Sequence, residues 1–291
     1  MINAPKEHDC LEKPSTRGQF TLSRNLEEKE TTPKISVVIL AYRSGKGIYK
    51  FVDSIVQSLE ENESNWEIVL VGNHFSDDGD PTPCIVSEIA QGHPRIRAVT
   101  LIKKGMMGWD MKSGLDATTG KTIAVIDGDG QMPCEDVIRV YRKLINDRLE
   151  FAKTYRLNRD DGAYRKIISF IYNTIFKILF PGLISRDINS KPKVMTREVY
   201  RQMDLHSDGW FVDAEIMILV RRMKLEIGEL GTGFNCLVNR SSFVKISSIF
   251  EFLANLVRFR ILEYGYWFRR KKNVLKINNH KQKIFKHSRA R

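Results

Sequence analysis

Thr122-Ile123-Ala124-Val125-Ile126-Asp127-Gly128-Asp129-Gly130-Gln131 is the stretch that decides how this chain is read. Residues 122–126 run without a charged break, the pattern of a strand covered on both faces of a sheet. The run stops at two carboxylates spaced i, i+2. Carboxylates at the end of a buried strand are costly unless something binds them. The partner of matching hardness is a divalent cation such as Mg²⁺ or Mn²⁺, itself held by the phosphates of a nucleotide. The same residues also fit an acidic β-turn in which Gly128 and Gly130 supply positive φ.

Working outward, Ile35–Ala41, Trp66–Val71 and Ile96–Ile102 read as further strands. Between them, Ile48, Phe51, Val52, Ile55 and Leu59 recur at helical spacing, and Pro81–Ala90 and Met111–Thr118 read as helices. Such alternation predicts a doubly wound α/β sheet, whose ligands sit beyond the carboxyl ends of the strands. The unusual polar residues gather there: Tyr42-Arg43-Ser44, Asn73-His74, and Asp127 with Asp129. Downstream, the pattern predicts a helix to about Leu149, a strand Phe151–Tyr155 and a long amphipathic helix Ala163–Phe180. A helix Val212–Met223, a strand and turn over Leu225–Phe234, and an apolar-basic helix from Ser247 to about Phe268 follow.

The chain has 291 residues, 42% of them hydrophobic, enough for one large α/β domain with an appendage. Residues 1–33 are polar and aperiodic and read as a disordered lead-in. One globular domain is expected over 34–245, then an amphipathic helix and basic tail over 246–291, where residues 269–291 contain no Asp or Glu. The net charge of +12 favours anionic partners: nucleic acid, lipid headgroups or phosphorylated substrates. No helix-turn-helix, zinc or RRM signature is present, so the tail alone argues for nucleic acid and none is expected. Cys10, Cys84, Cys134 and Cys236 are scattered without a CxxC pair, which reads as reduced thiols in a cytosolic setting. The most apolar stretch, Ile167–Ile184, is broken by Asn173, Thr174, Lys177, Pro181 and Gly182. It is expected to lie on a membrane or in the core rather than to span a bilayer. With no apolar secretory segment at the N-terminus, the expected location is cytoplasmic, peripheral on the cytoplasmic face of a membrane.

Four segments together, Ile35–Tyr42, Val69–Gly79, Gly114–Gly120 and Asp127–Glu135, resemble the GT-A nucleotide-diphospho-sugar glycosyltransferases of family 2. Within them, Gly128-Asp129-Gly130-Gln131-Met132-Pro133-Cys134-Glu135 is similar to the DADxQ…PE pattern of the branch that contains dolichol-phosphate mannose synthase and other polyprenyl-phosphate glycosyltransferases. The resemblance covers roughly residues 34–262. It implies a GT-A, Rossmann-like sheet with flanking helices and a C-terminal amphipathic helix. It implies that Asp127, Asp129 and Gln131 hold Mg²⁺ or Mn²⁺ and the donor diphosphate, with Ala41 and Tyr42 at the nucleotide sugar.

Other segments match with departures. Asn73 stands where the family commonly has a base-contacting Asp, so recognition of the base is altered or lost, or Asn73 is an ordinary turn residue. Arg156, and Arg165 within the following helix, match arginines that contact the acceptor phosphate, a task suited to guanidinium. Asp187-Ile188-Asn189-Ser190-Lys191-Pro192-Lys193 resembles the family's D-x-T-S-G-F-R segment, with Lys-Pro-Lys in place of Gly-Phe-Arg. Asp187 takes the place of an acidic residue near the reaction centre. Asp213 and Glu215 match a later acidic segment and equally suit a helix N-terminus. Arg240 and Lys245 resemble a mobile clamp on the donor phosphates, without its glycine.

The expected activity is inverting transfer of a sugar from a GDP- or UDP-sugar to a polyprenyl phosphate at an anionic membrane surface. Interfacial helices have the composition of residues 167–180 and 249–268. A soluble family 2 transferase acting on a saccharide or other hydroxyl, and a non-catalytic nucleotide-sugar-binding module, are the alternatives.

Overall fold

The computed structural model describes residues 32–76, 79–157, 163–234 and 252–264, with the side chains of 163–169 excepted. The lead-in before residue 32, the clamp residues Arg240 and Lys245 and the basic tail lie outside the described residues.

Seven strands form one sheet: β1 (Ile35–Leu40), β2 (Trp66–Val71), β3 (Ile96–Val99), β4 (Thr122–Asp127), β5 (Phe151–Arg156), β6 (Lys193–Thr196) and β7 (Ile227–Thr232). Their order is β3-β2-β1-β4-β6-β5-β7. The first four are mutually parallel, with Leu40 in register with both Val71 and Asp127. The chain winds from β1 outward to β3 and then returns to place β4 on the other side of β1. That reversal opens a crevice at the carboxyl ends of β1 and β4, the usual ligand position in such sheets.

Strand β6 departs from the alternation read in the sequence. It runs antiparallel between β4 and β5 and makes the sheet mixed. Its four residues begin with Lys193, and a charged residue opening so short a run gave no strand signal. The other boundaries shift modestly. The third strand ends at Val99, although an isolated parallel bridge joins His74 to Ile102.

The central strands β1, β2 and β4 are buried on both faces. On one side pack α1 (Gly47–Asn62), α2 (Thr82–Gly92) and α4 (Asp136–Asn146), meeting Ile35, Val37 and Ile39 of β1. On the other, Val38 and Leu40 meet α3 (Met107–Asp116), α5 (Ala163–Leu179), α7 (Val212–Met223) and α8 (252–264). The short α6 (Arg197–Gln202) follows β6 and is capped by Thr196, whose side chain accepts from Val199 N. Residues Val212–Val220 of α7 are all buried, as expected of a helix enclosed by the core. Helix α8 docks through Phe252 and Phe259 against Tyr172 and Phe211, and Glu263 accepts from Arg221 at 2.7 Å.

Candidate active site

Strand β4 delivers Asp127 to the mouth of the crevice, and the two glycines after it do different things. Gly128 donates to Leu40 O at 2.9 Å, and a Cβ there would stand 2.7 Å from Ile48 Cδ1 and 3.1 Å from Leu40 O. Gly130 takes φ +74 and has open space around it. The first glycine therefore permits close approach and only the second supplies positive φ. Asp129 Oδ1 accepts from Gln131 N at 3.0 Å, closing the turn. Asp127, Asp129 and Gln131 are all half-buried at the crevice.

The carboxylate of Asp127 already faces a cation. Lys191 Nζ donates to both of its oxygens, at 2.9 and 3.1 Å, and lies 3.1 Å from Asp213 Oδ2. Lys193 Nζ meets the other oxygen of Asp213 at 2.6 Å and donates to Ser190 O at 3.1 Å. Asp127, Lys191, Asp213 and Lys193 thus form a chain of alternating charge, and the last three are at most 3% exposed. Burial drives the Asp213 carboxyl upward, but the two lysines outweigh it and hold it below its ordinary value. Burial likewise opposes the Lys191 ammonium, and Asp127 with Asp213 overrides it, raising its pKa. Lys193 falls below its ordinary value, burial being the main cause. None of these lysines stood out in the sequence as a site residue. The available signal was two lysines around a proline beside apolar Val194-Met195, and Lys153 in the middle of the apolar strand 151–155.

A second ionic group lies alongside. Arg156, the last residue of β5, grips Asp187 bidentately, Nε to Oδ2 at 2.6 Å and Nη2 to Oδ1 at 2.8 Å. The sequence-predicted pair is therefore brought together, with Asp187 fixing the plane of the guanidinium. Asp187 Oδ1 also accepts from Asn189 N at 3.2 Å, and Asn173 of α5 accepts from Ile188 N at 3.2 Å, tying this loop to α5. Lys153, wholly buried, donates to Thr154 O and Asp187 O; burial and then the Lys193 ammonium push it down to about 7. Two buried polar atoms of this neighbourhood, Tyr172 Oη and Asn189 Oδ1, have no hydrogen-bond partner among the described residues. Arg165 belongs to α5, but its side chain lies outside the described residues.

Beyond β2, Asn73 is 2% exposed and engaged on both ends of its amide. Its Nδ2 donates to Asp110 Oδ1 at 3.0 Å and Ser113 Oγ at 2.8 Å, and its Oδ1 accepts from Leu101 N at 2.7 Å. Asp110 in turn pairs with Lys103, whose ammonium stands 4.2 Å from the Tyr42 ring centroid. Asn73 thus ties β2 to α3 and the 101–103 segment, and Lys103 links Asp110 to the Tyr42 ring. Burial raises the Asp110 carboxyl in spite of Lys103. Of the two helix-start acids, Asp213 belongs to the charge chain. Glu215 holds a loop instead, accepting from His206 N and Ser207 N at 2.8 Å each.

Among the described residues no group of three His, Cys, Asp or Glu side chains is arranged to hold a metal ion. Asp127, Asp129 and the Gln131 amide nonetheless offer hard oxygen donors at one turn. A lysine ammonium seated on both Asp127 oxygens marks the position as one that takes a cation. This donor set fits a Mg²⁺ or Mn²⁺ ion whose remaining ligands come from phosphate oxygens or water.

Residues 36–204 match the family described as glycosyl transferase family 2. The chain belongs to that family. A dolichyl-phosphate beta-glucosyltransferase of Trichomonas vaginalis is 24% identical over 250 residues, covering 79% of this chain and 72% of the relative. The dodecaprenyl-phosphate galacturonate synthase of Rhizobium johnstonii is 23% identical over 229 residues, 77% of this chain and 65% of its own. Among solved structures, glucosyl-3-phosphoglycerate synthase from Mycobacterium tuberculosis in complex with Mn²⁺, uridine diphosphate and phosphoglyceric acid superposes with a TM-score of 0.59. It covers 79% of this chain and 78% of that one at 17% identity. This family 2 glycosyltransferase therefore has the GT-A architecture, its mixed sheet included.

Proposed function

We propose that the enzyme transfers a sugar from a nucleoside-diphosphate sugar to a polyprenyl phosphate at a membrane surface. The observation that carries the membrane part is the outer face of α5 and α8. Phe170 and Ile178 are each 72% exposed, Ile184 just beyond α5 is 87% exposed, and Ile261 and Tyr264 on α8 are 64% and 54% exposed. These two helices pack on each other, so the exposed apolar side chains belong to one unit. That unit carries the Asp187 loop through Asn173. A lipid-borne phosphate anchored along α5 would reach the Arg156–Asp187 pair without leaving the interface. No described helix is long and apolar enough to cross a membrane, which fits attachment through such a face. The names of the relatives, polyprenyl-phosphate sugar transferases from unrelated organisms, support the same acceptor class.

In this reading the acceptor phosphate oxygen attacks the anomeric carbon as the bond to the donor diphosphate breaks, and the electron pair leaves with the diphosphate. A phosphate monoester with a second pKa near ~6 is already largely dianionic at neutral pH, so no strong general base is needed. Arg156, held by Asp187, positions the acceptor phosphate. The Tyr172 hydroxyl and Asn189 Oδ1, buried without partners among the described residues, lie in the same neighbourhood. Lys191 stands where negative charge collects on the departing diphosphate. A divalent ion on Asp127, Asp129 and Gln131 supplies further neutralisation of that leaving group when bound.

The test is a screen of GDP- and UDP-sugars with short polyprenyl phosphates in the presence of Mn²⁺ or Mg²⁺, reading lipid-linked sugar by mass spectrometry. Formation of that product, abolished in Asp129→Ala, supports the proposal. Transfer only to water-soluble acceptors, or nucleotide binding without any turnover, refutes it.

A further inference from the structure

The ammonium of Lys191 is unusual for its place. It is 2% exposed, between two carboxylates of the donor site. Its Nζ is surrounded by Asp127 Oδ1, Asp127 Oδ2, Asp213 Oδ2 and Met107 Sδ, at 2.9, 3.1, 3.1 and 3.2 Å. Around it the charges balance: Asp127 and Asp213 against Lys191 and Lys193. An ion arriving at Asp127 in the free enzyme would bring two positive charges beside a buried third. Nζ already takes up acceptor capacity on each oxygen of Asp127, at 2.9 and 3.1 Å. Repulsion between like charges at such range is strong in a partly desolvated site.

A nucleoside diphosphate changes the balance. Its oxygens supply negative charge to both cations, and Nζ gains a second set of acceptors within reach of a small side-chain movement. We propose that Lys191 makes divalent-cation binding conditional on the nucleoside diphosphate: it blocks Asp127 against metal in the free enzyme and yields when the diphosphate arrives. The consequence is strong positive coupling between metal and nucleotide, built by a lysine that stands where the family pattern has glycine. The same arrangement keeps the carboxylates neutralised between turnovers, so the empty site does not repel the anionic donor. This inference rests on the donor-site half of the proposed function and is indifferent to the acceptor.

The experiment measures Mn²⁺ binding to the full chain by the electron paramagnetic resonance of free Mn²⁺. It is run without nucleotide, then with saturating UDP and, separately, GDP. Wild-type protein should bind Mn²⁺ weakly alone and much more tightly with the diphosphate it accepts. Lys191→Gln and Lys191→Met should bind Mn²⁺ at least about tenfold more tightly without nucleotide, a change of about 1.4 kcal/mol. The nucleotide-induced gain should shrink by the same factor, as linkage requires. Lys191→Arg, which keeps the charge, should stay near wild type, and adding Asp127→Asn to Lys191→Gln should erase the gain. Unchanged Mn²⁺ affinity in folded Lys191→Gln overturns the proposal. So does low-micromolar Mn²⁺ binding by wild-type protein without nucleotide, a result that stands even where the neutral variants do not fold. Because no acceptor enters the assay, failure to make lipid-linked sugar leaves this outcome readable, and the reverse holds too.

Discussion

Replacing Asp213 by Asn removes the charge that two buried lysines share. Lys191 keeps Asp127, but Lys193 is left with Ser190 O as its remaining described acceptor at 3.1 Å. Breaking a buried pair from one side typically costs about 3–5 kcal/mol, because the surviving charge has no compensation. The protein can limit that cost by releasing the Lys193 proton. Deprotonating a lysine of ordinary pKa ~10.4 costs about 1.36 kcal/mol per pH unit below it, or roughly 5 kcal/mol at pH 7 and about 2 kcal/mol at pH 9. The expected loss is therefore about 3–5 kcal/mol at pH 7, falling to about 2 kcal/mol at pH 9. Urea denaturation followed by circular dichroism at the two pH values reads both numbers. Adding Lys193→Met to Asp213→Asn should recover part of the loss at pH 7, since the stranded charge is gone. A loss below about 1 kcal/mol, or one of equal size at both pH values, would show that the alternating chain of charges does not hold this part of the core.

Four further outcomes are expected. Asp127→Asn should lower sugar transfer at least ~100-fold in an assay of lipid-linked product, and it should lower Tm as well, because the buried Lys191 and Lys193 are then left sharing the one charge of Asp213. Gly108→Ala should destabilise by about 1–3 kcal/mol, since its Cβ would run into Ser207 O and stand 2.8 Å from Gly209 O; a Tm within a degree of wild type refutes that packing. Stability should rise from about pH 7 toward pH 10, because Lys153 sheds its proton near 7 when folded but near its ordinary value when unfolded, so the unfolded chain binds more protons in that window. Above pH 10 the trend should reverse as Tyr141, raised to about 12, stays protonated in the folded state. Lys153→Met should flatten the rise, and an unaltered slope would contradict it. Finally, Ile178→Glu with Ile261→Glu should sharply reduce co-sedimentation with anionic vesicles without loss of secondary structure, as both side chains point outward; retained binding would remove α5 and α8 as the attachment face.

The first half of the sheet was legible from residues 35–127 because the strands there are mostly apolar runs between helices of clear period. Residues Trp66–Val71 form β2 and residues Val212–Met223 form α7, as the patterns predicted. Strand β6 was not legible. It opens on a charged residue and lasts four residues, and its identity comes from pairing with β4 and β5 on either side. The same holds for the site. Asp127, Asp129 and Gln131 carry a local signature, since strand, turn and acids are contiguous. Arg156 and Asp187 came from separate segments, and the structure joins them in one bidentate pair. Asn73, for which a base contact and an ordinary turn role were both open, bonds to Asp110, Ser113 and Leu101.

By itself the sequence determined the α/β class, the crevice at the carboxyl ends of β1 and β4, and the acidic turn at its mouth. Local periodicity and turn chemistry suffice for all three. Only the tertiary structure decided which charge answers which. Lys191 and Lys193 lie 64 and 20 residues from the acids they meet, Asp127 and Asp213. A buried ion pair depends on distances between side chains that chain order does not encode. The opening motif, read alone, asks for a cation. The folded protein shows that one lysine ammonium already stands there.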